Sequence, residues 1–263
     1  MKDTIHCTIQ GKGRPLLFIH GWAMHSRVWD KTARILARDF QVITVDLRGH
    51  GRSRDHDGPF TYDVFARDLA GLIYGLELRD LTLVGWSLGA SVVFKMLKHT
   101  FIKPRSLVLI SANPSLVKRA DYPHGIAEVM VKRLYQNTGR DLAKGLESFY
   151  RLLFSDTELT ALAQDDVYKT ITDPDLSPAK PAALQTLKCL QNEDLRTVLP
   201  DIRVPTLLIH GTEDRISLPG AAAFMNRQIK GSRLLLLGNT GHVPFVTREK
   251  EVLEQLCPFL KNS

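Results

Sequence analysis

Short aliphatic runs recur along the chain, and the segments between them have the apolar spacing of amphipathic helices. The runs are almost wholly apolar and do not alternate, which is the pattern of strands buried on both faces of a sheet. Strands alternating with helices favour a parallel sheet with crossover helices on both faces. We therefore predict an α/β fold with a mostly parallel, doubly wound sheet. The predicted strands are 15–20, 41–46, 81–84, 106–110, 206–210 and 233–237, and the predicted helices are 25–38, 62–75, 88–98, 220–229 and 248–260.

The stretch between the fourth and fifth predicted strands is too long for one crossover helix. About ninety residues separate Ile110 from Thr206, and they have helical spacing without a clear strand. Breaker residues mark the edges of this stretch, at Asn113-Pro114 and at a group of prolines that ends with Pro181. A helix at 182–190 leads back to the core. The predicted division is an α/β-hydrolase-type core at 1–114 and 182–263, with an inserted helical cap at 115–181.

Composition narrows the classes of function. Apolar residues make up 44% of the chain and charged residues 24%, which fits a folded globular protein. No apolar run is long enough to span a bilayer, and the first six residues lack a secretory signal, so we expect a cytoplasmic protein that does not bind membranes. The three cysteines are widely spaced and indicate neither disulfides nor a zinc site. The net charge of +7 is scattered, which argues against nucleic-acid binding.

A Gly-x-Ser-x-Gly pentapeptide, Gly85-Trp86-Ser87-Leu88-Gly89, falls between a predicted strand and a predicted helix. In a sharp strand-to-helix turn, the residues two before and two after the serine must be small to avoid a collision. Such a turn exposes the serine hydroxyl. We predict that Ser87 is the nucleophile of an acyl-transfer enzyme.

A serine hydroxyl is a weak nucleophile at neutral pH, so it needs a histidine base that a carboxylate orients. In this fold the acid and then the histidine follow the serine along the chain. Asp214 follows the fifth predicted strand and His242 follows the sixth. Glu213 is the neighbouring rival for the acid, whereas the loop after Ile110 holds no carboxylate. We predict Asp214 as the acid and His242 as the base.

The negative charge that develops on the substrate oxygen needs two backbone N–H donors. The fold supplies one from the residue after the nucleophile, here Leu88, and one from the loop after an early strand, here Trp22. The alternative for Trp22 is an aromatic side chain that only packs. The glycine-rich segment 46–53 lacks dinucleotide-binding spacing, and the histidines form no metal-binding motif, so we expect neither a cofactor nor a metal.

Together these motifs resemble the α/β-hydrolase superfamily over almost the whole chain. They are His20-Gly21-Trp22, the segment 46–53, Gly85 to Gly89, Asp214 and His242. Within the superfamily the sequence is most similar to the BioH-type pimeloyl-[acyl-carrier protein] methyl ester esterases. The resemblance implies an acyl-enzyme on Ser87 and hydrolysis of a pimeloyl methyl ester carried by acyl carrier protein. Small esters are the second expected substrate class.

The resemblance also implies which residues contact the substrate. Carried over by motif, the pimeloyl contacts are Trp22, Ser87, Leu88, Phe149, Tyr150, Arg151, Leu152, Leu153 and His242. Members of the family use cap arginines to hold the acidic carrier, and the basic residues here do not copy that set: Lys132, Arg133, Arg140, Lys144 and Arg151. Seven basic and four acidic residues lie in 115–154, against two and six in 155–180. Carrier docking and a merely solvated surface both remain open.

The triad does not separate several related activities. A general short-chain carboxylesterase, a carbon–carbon bond hydrolase and a perhydrolase-like esterase would carry the same residues. Haloalkane dehalogenases and epoxide hydrolases use an aspartate at the nucleophile position, and Ser87 argues against both. A non-catalytic binding protein with the hydrolase fold is the alternative of another class, and a burst of p-nitrophenol from an ester would exclude it.

Overall fold

The computed structural model describes the backbone of residues 4–162 and 166–263. Residues 1–3, and residues 163–165 of the predicted cap, therefore lie outside the described residues. In the part of the chain that the structure describes, no helix has the length and apolar character needed to cross a membrane.

The described strands form one seven-stranded sheet in the order β1-β3-β2-β4-β5-β6-β7. The β1–β3 pair is antiparallel, and each of the other neighbouring pairs is parallel. This sheet confirms the prediction of a mostly parallel α/β fold. The strands are β1 (Cys7–Gln10), β2 (Pro15–Ile19), β3 (Gln41–Val45), β4 (Thr82–Trp86), β5 (Ser106–Ile110), β6 (Thr206–Gly211) and β7 (Arg233–Leu237).

Six strands lie where the apolar runs predict them, but the edge strand β1 was missed. Its four residues, Cys-Thr-Ile-Gln, are only partly buried and pair with a single neighbour. Such a short edge strand has no apolar run to reveal it.

Six described helices lie outside the long β5–β6 connection, and most of them pack against the strands of the sheet. The predicted helix at 25–38 is shorter than expected, because the 3₁₀ turn Ser26–Trp29 precedes its α-helical part. These helices are α1 (Asp30–Leu36), α2 (Tyr62–Gly75), α3 (Leu88–His99), α9 (Pro219–Gln228), α10 (Pro244–Thr247) and α11 (Glu249–Asn262).

We call residues 111–205, between β5 and β6, the insertion. Its described helices are α4 (Glu128–Arg140), α5 (Leu142–Leu152), α6 (Asp156–Leu162), α7 (Asp166–Ile171) and α8 (Lys180–Asn192). Asp141 caps α5 by accepting a hydrogen bond from Lys144 N at 3.1 Å. Helix α4 packs against both α5 and α8. The division of the chain into core and cap stays a prediction.

The parallel strands bring their carboxyl ends to one edge of the sheet, and four loops meet there. Trp22, Ser87, Asp214 and His242 lie in the loops that follow β2, β4, β6 and β7. The ring of Phe245, just after His242, lies 5.1 Å from that of Trp86, just before Ser87. This aromatic contact ties the two loops together.

Candidate active site

Ser87 occupies a strained turn between β4 and α3. Its backbone has φ 53° and ψ −116°, a conformation that costs a residue with a side chain about 1–3 kcal/mol. Two hydrogen bonds hold the turn: Ser87 N donates to Ile110 O at 2.9 Å, and Ala90 N donates to Ser87 O at 2.9 Å. The turn keeps Ser87 partly exposed while its neighbours in the chain are buried.

The two glycines of the pentapeptide permit this turn. A Cβ atom on Gly85 would lie 2.8 Å from the backbone N of Ala90. A Cβ atom on Gly89 would lie 2.8 Å from His20 O and would also collide with Ile19 O. Glycine therefore lets α3 approach the end of β2 closely.

Asp214 and His242 form a buried pair. Asp214 Oδ2 lies 2.7 Å from His242 Nδ1. The other oxygen, Oδ1, accepts hydrogen bonds from Ile216 N and Ser217 N, both at 2.9 Å. The carboxylate is thus fixed by its own loop and accepts from Nδ1–H, which leaves Nε2 of the neutral imidazole free to accept a proton.

A second histidine, His210 at the end of β6, also contacts Asp214, the predicted acid. Its Nε2 lies 3.3 Å from Asp214 Oδ2 and 2.6 Å from Ser217 O. Sequence reasoning missed His210, and the available signal was its position four residues before Asp214. Burial alone would raise the pKa of Asp214, but the His242 and His210 imidazoles outweigh it and hold that pKa well below its ordinary value. Asp214 is therefore an anion that can stabilise a protonated His242.

The free nitrogen of the predicted base, His242 Nε2, is buried. It has no hydrogen-bond partner in the part of the chain that the structure describes. A serine–histidine hydrogen bond often tightens only when substrate binds. Trp86 keeps the two residues close in the meantime, because its Nε1 donates to His242 O at 2.9 Å and its backbone adjoins Ser87.

The two predicted oxyanion donors belong to segments that adjoin Ser87. Leu88 N begins α3, and the first N–H groups of a helix have no acceptor within the helix. The Trp22 loop also lies beside the nucleophile, because a Cβ atom on Gly21 would be 3.4 Å from Ser87 Cβ. Leu88 N–H and Trp22 N–H remain the predicted oxyanion hole.

The Trp22 side chain packs, as the alternative interpretation expects. Its Nε1 donates to Ala183 O at 3.0 Å, and its ring meets Phe149 edge-to-face at 4.6 Å. Buried His20 links the same loop to the segment after β3. Its Nδ1 lies 2.8 Å from Gly21 O, and its Nε2 accepts a hydrogen bond from Leu47 N at 3.0 Å. These contacts fix the loop whose Trp22 N–H is the predicted second oxyanion donor.

A cavity of about 290 Å³ opens onto Ser87. Of the other predicted substrate contacts, Trp22, Phe149 and Leu152 line it. The remaining lining is mostly aliphatic and comes from the insertion, including Leu116, Val129, Met130, Leu134, Leu187 and Leu190. The cavity suits an acyl chain.

The other substrate contacts predicted for this segment, at 150, 151 and 153, are not part of the cavity lining. Tyr150 is buried and its hydroxyl donates to Ala23 O at 3.4 Å, while Leu153 O accepts from His242 N at 2.7 Å. Arg151 lies on the surface and pairs with Glu147 at 2.9 Å. Their assignment as substrate contacts stays a prediction.

Two polar residues of the cavity wall were not predicted. Tyr62 and Asn113 line the cavity, and the Tyr62 hydroxyl and Asn113 Nδ2 are buried without a partner among the described residues. Neither residue belongs to a motif, so the sequence carried no signal for them.

Comparisons with known proteins agree with this geometry. The family model of the alpha/beta hydrolase fold matches residues 14–249. The chain belongs to this family. The hydrolase is 36% identical over 245 residues to a pimeloyl-[acyl-carrier protein] methyl ester esterase of Nitrosomonas europaea, covering 93% of this chain and 94% of the relative. It is 33% identical over 257 residues to the AB hydrolase superfamily protein YisY of Bacillus subtilis, covering 96% and 93%.

Solved structures of similar proteins carry the same fold. An esterase from Exiguobacterium antarcticum superimposes on the hydrolase with a TM-score of 0.89 at 28% identity, covering 98% of this chain and 96% of the other. A bromoperoxidase from Bacillus anthracis gives a TM-score of 0.92 at 28% identity, covering 98% and 95%. These findings confirm the predicted fold, the resemblance and the prediction of an ester-hydrolysing enzyme.

Two histidines behind the oxyanion loop are expected to make the hydrolase sensitive to acid. Burial lowers the pKa of His20 to about 3, with the nearby His50 adding to the effect, and burial lowers the pKa of His50 to about 4. The unfolded chain then binds more protons below the ordinary histidine value of 6.5. The two histidines therefore leave the free energy of unfolding undiminished above that value. As the pH drops toward 4, the free energy of unfolding falls by up to ~1.4 kcal/mol per pH unit for each histidine.

Urea unfolding at a series of pH values measures this slope. His50→Gln is expected to flatten it, while His99→Gln, at an exposed position, should leave it unchanged. Equal slopes for the wild type and His50→Gln would show that His50 does not contribute.

Proposed function

We propose that this chain is a serine carboxylesterase that hydrolyses the methyl ester of pimeloyl-[acyl-carrier protein] in biotin biosynthesis. The observation that carries the proposal is a strained Ser87 in the wall of an apolar cavity, beside the loop of a histidine that is bound to a buried carboxylate. The names of the similar proteins from Nitrosomonas europaea and Nitrosospira multiformis support the substrate, at 36% and 32% identity. A cytoplasmic location belongs to the same proposal.

The proposed reaction has two halves. His242 Nε2 takes the proton of Ser87 Oγ while that oxygen attacks the ester carbonyl, and Leu88 N–H and Trp22 N–H stabilise the oxyanion. The intermediate collapses, His242 returns the proton to the departing methoxide, and methanol leaves an acyl-enzyme on Ser87. A water molecule deprotonated by His242 then attacks the acyl-enzyme, and the free acid and Ser87 are released.

The mouth of the cavity has properties that suit a carrier-bound substrate. The Val129 and Met130 side chains there are 63% and 49% exposed, although both are apolar. Arg133 lines the same cavity and forms no ion pair within the described residues, whereas Lys132 is paired with Glu128 at 2.9 Å. An unpaired guanidinium beside an apolar rim is suited to a phosphate or carboxylate of an acidic carrier.

Arg133→Ala is therefore expected to raise KM for a carrier-bound ester about tenfold, equivalent to ~1.4 kcal/mol, and to leave kcat/KM for a small methyl ester unchanged. Added salt should weaken turnover of the carrier substrate in the wild type, since it screens exposed charges. Lys12→Ala is the control, because Lys12 is exposed in the turn before β2, at the opposite edge of the sheet. The same salt response for carrier-bound and small esters would remove carrier docking from the proposal.

Genetic rescue tests the substrate in a cell. The wild-type chain should restore growth without biotin to a strain that lacks its pimeloyl methyl esterase, and Ser87→Ala should not. If the wild-type chain is soluble and hydrolyses small esters but does not rescue growth, the general short-chain carboxylesterase is the better interpretation.

A further inference from the structure

The corner between α5 and α6 holds the loop that carries the proposed base. His242 N donates to Leu153 O at 2.7 Å, and the preceding Gly241 N donates to Glu158 Oε2 at 2.9 Å. Two consecutive peptide N–H groups of the histidine loop are thus bound by the insertion and not by the sheet.

Glu158 is well placed for this contact. Glu158 is only 8% exposed. Its Oε2 also accepts a hydrogen bond from Ser155 N at 2.8 Å, and its own backbone N donates to Ser155 Oγ at 3.3 Å. This reciprocal pair is a capping box at the start of α6. A capping box requires only the two bonds to Ser155. The bond from Gly241 N to the same carboxylate is therefore not explained by helix capping.

The approach of the corner to the loop is close enough to require glycine. A Cβ atom on Gly241 would lie 2.7 Å from Leu153 O and 3.0 Å from Glu158 Oε2. On the side facing the acid, Thr240 O accepts from Glu213 N at 2.9 Å. The histidine loop is therefore clamped between the acid loop and the insertion.

The same corner continues the helix that lines the cavity. Phe149 and Leu152, both on α5, form part of the cavity wall, and Phe149 packs on the Trp22 ring. Helix α5 and the corner after it thus touch the acyl site, the oxyanion loop and the histidine loop.

We propose that Glu158 is a positioning residue for His242, an inference that rests on the proposed esterase function. Its carboxylate fixes the Gly241 peptide. Through that peptide it fixes the orientation of the His242 imidazole between Asp214 and Ser87. A displacement of about 1 Å at a reacting group can cost on the order of a hundredfold in rate. Positioning of the base affects every ester alike, because it acts on the chemistry and not on the acyl chain.

Steady-state kinetics on a short and a medium-chain p-nitrophenyl ester test the proposal. Glu158→Ala should lower kcat about ten- to a hundredfold by the same factor for both esters, with little change in KM. Glu158→Gln keeps an oxygen that can accept from Gly241 N, so it should recover most of the rate. In proton NMR, the low-field signal of the His242–Asp214 hydrogen bond should shift or broaden in Glu158→Ala.

Asp141→Ala is the matched structural control. Asp141 is also a capping carboxylate of an insertion helix, but its cap bond goes to Lys144 N at the start of α5, away from the histidine loop. The Asp141→Ala substitution should lower the melting temperature while leaving kcat and the low-field NMR signal unchanged. Equal losses of kcat in Glu158→Ala and Asp141→Ala, or a loss confined to KM, would overturn the positioning role. If Glu158→Ala does not fold, Glu158→Asp decides, because it keeps the negative charge but is one carbon too short to hold the bond to Gly241 N. A kcat below that of Asp141→Ala with unchanged KM supports the role, and a kcat equal to that of Asp141→Ala overturns it. Absence of any ester turnover in the wild type would instead reject the proposed function.

Discussion

Ser87→Ala is expected to lower kcat for ester hydrolysis by about a millionfold, the loss found when the nucleophile of a serine hydrolase is removed. The alanine keeps the fold but removes the oxygen that would form the acyl-enzyme, so no burst of p-nitrophenol should appear. Stopped-flow absorbance at saturating p-nitrophenyl ester measures both quantities.

Ser111→Ala is the matched control for this variant. Ser111 follows the neighbouring strand β5, has φ 45°, and is buried with its hydroxyl unpartnered among the described residues. It should retain wild-type kcat. A burst that survives in Ser87→Ala would show that another group forms the acyl-enzyme.

Asp214→Asn is expected to lower kcat about ten-thousandfold with little change in KM. The amide can donate a hydrogen bond toward His242 Nδ1, which favours the imidazole tautomer that cannot take the serine proton. The loss of negative charge also removes the partner of the protonated base. The measurement is kcat at the pH optimum, with circular dichroism to verify the fold.

Glu213→Gln separates the acid from its neighbour. The Glu213 backbone N–H binds Thr240 O and would be kept, while its side-chain charge would be lost. We expect this variant to retain near wild-type kcat. A larger loss in Glu213→Gln than in Asp214→Asn would mean that the acid is assigned to the wrong residue.

The fold was accessible from the sequence because its five inner strands, β2 to β6, are buried almost throughout. Continuous apolar runs mark β2 to β7, and the runs place the loops that hold Ser87, Asp214 and His242 at one edge of the sheet. The pentapeptide was equally informative, since both of its outer glycines avoid collisions with backbone. Buried strands and sterically crowded turns can be recognised locally in the sequence, as apolar runs and as glycines at fixed spacing.

Features made by contacts distant in sequence left no such signature. Glu158 reaches Gly241, 83 residues further along the chain, only because the insertion folds against the loop after β7. The face of α5 that meets the cavity was not predicted either, because it depends on how α5 packs beside Trp22. Arg151, predicted as a substrate contact by resemblance, lies beside Glu147 on the surface.

Turnover of purified pimeloyl-[acyl-carrier protein] methyl ester tests the central claim most directly. Mass spectrometry of the intact carrier would follow the conversion of the methyl ester to the free acid, a net loss of one CH₂ unit. We expect conversion by the wild-type chain, slower conversion by Arg133→Ala, and none above background by Ser87→Ala. A carrier ester that stays intact while the same preparation hydrolyses small esters through Ser87 would contradict the assignment of the substrate.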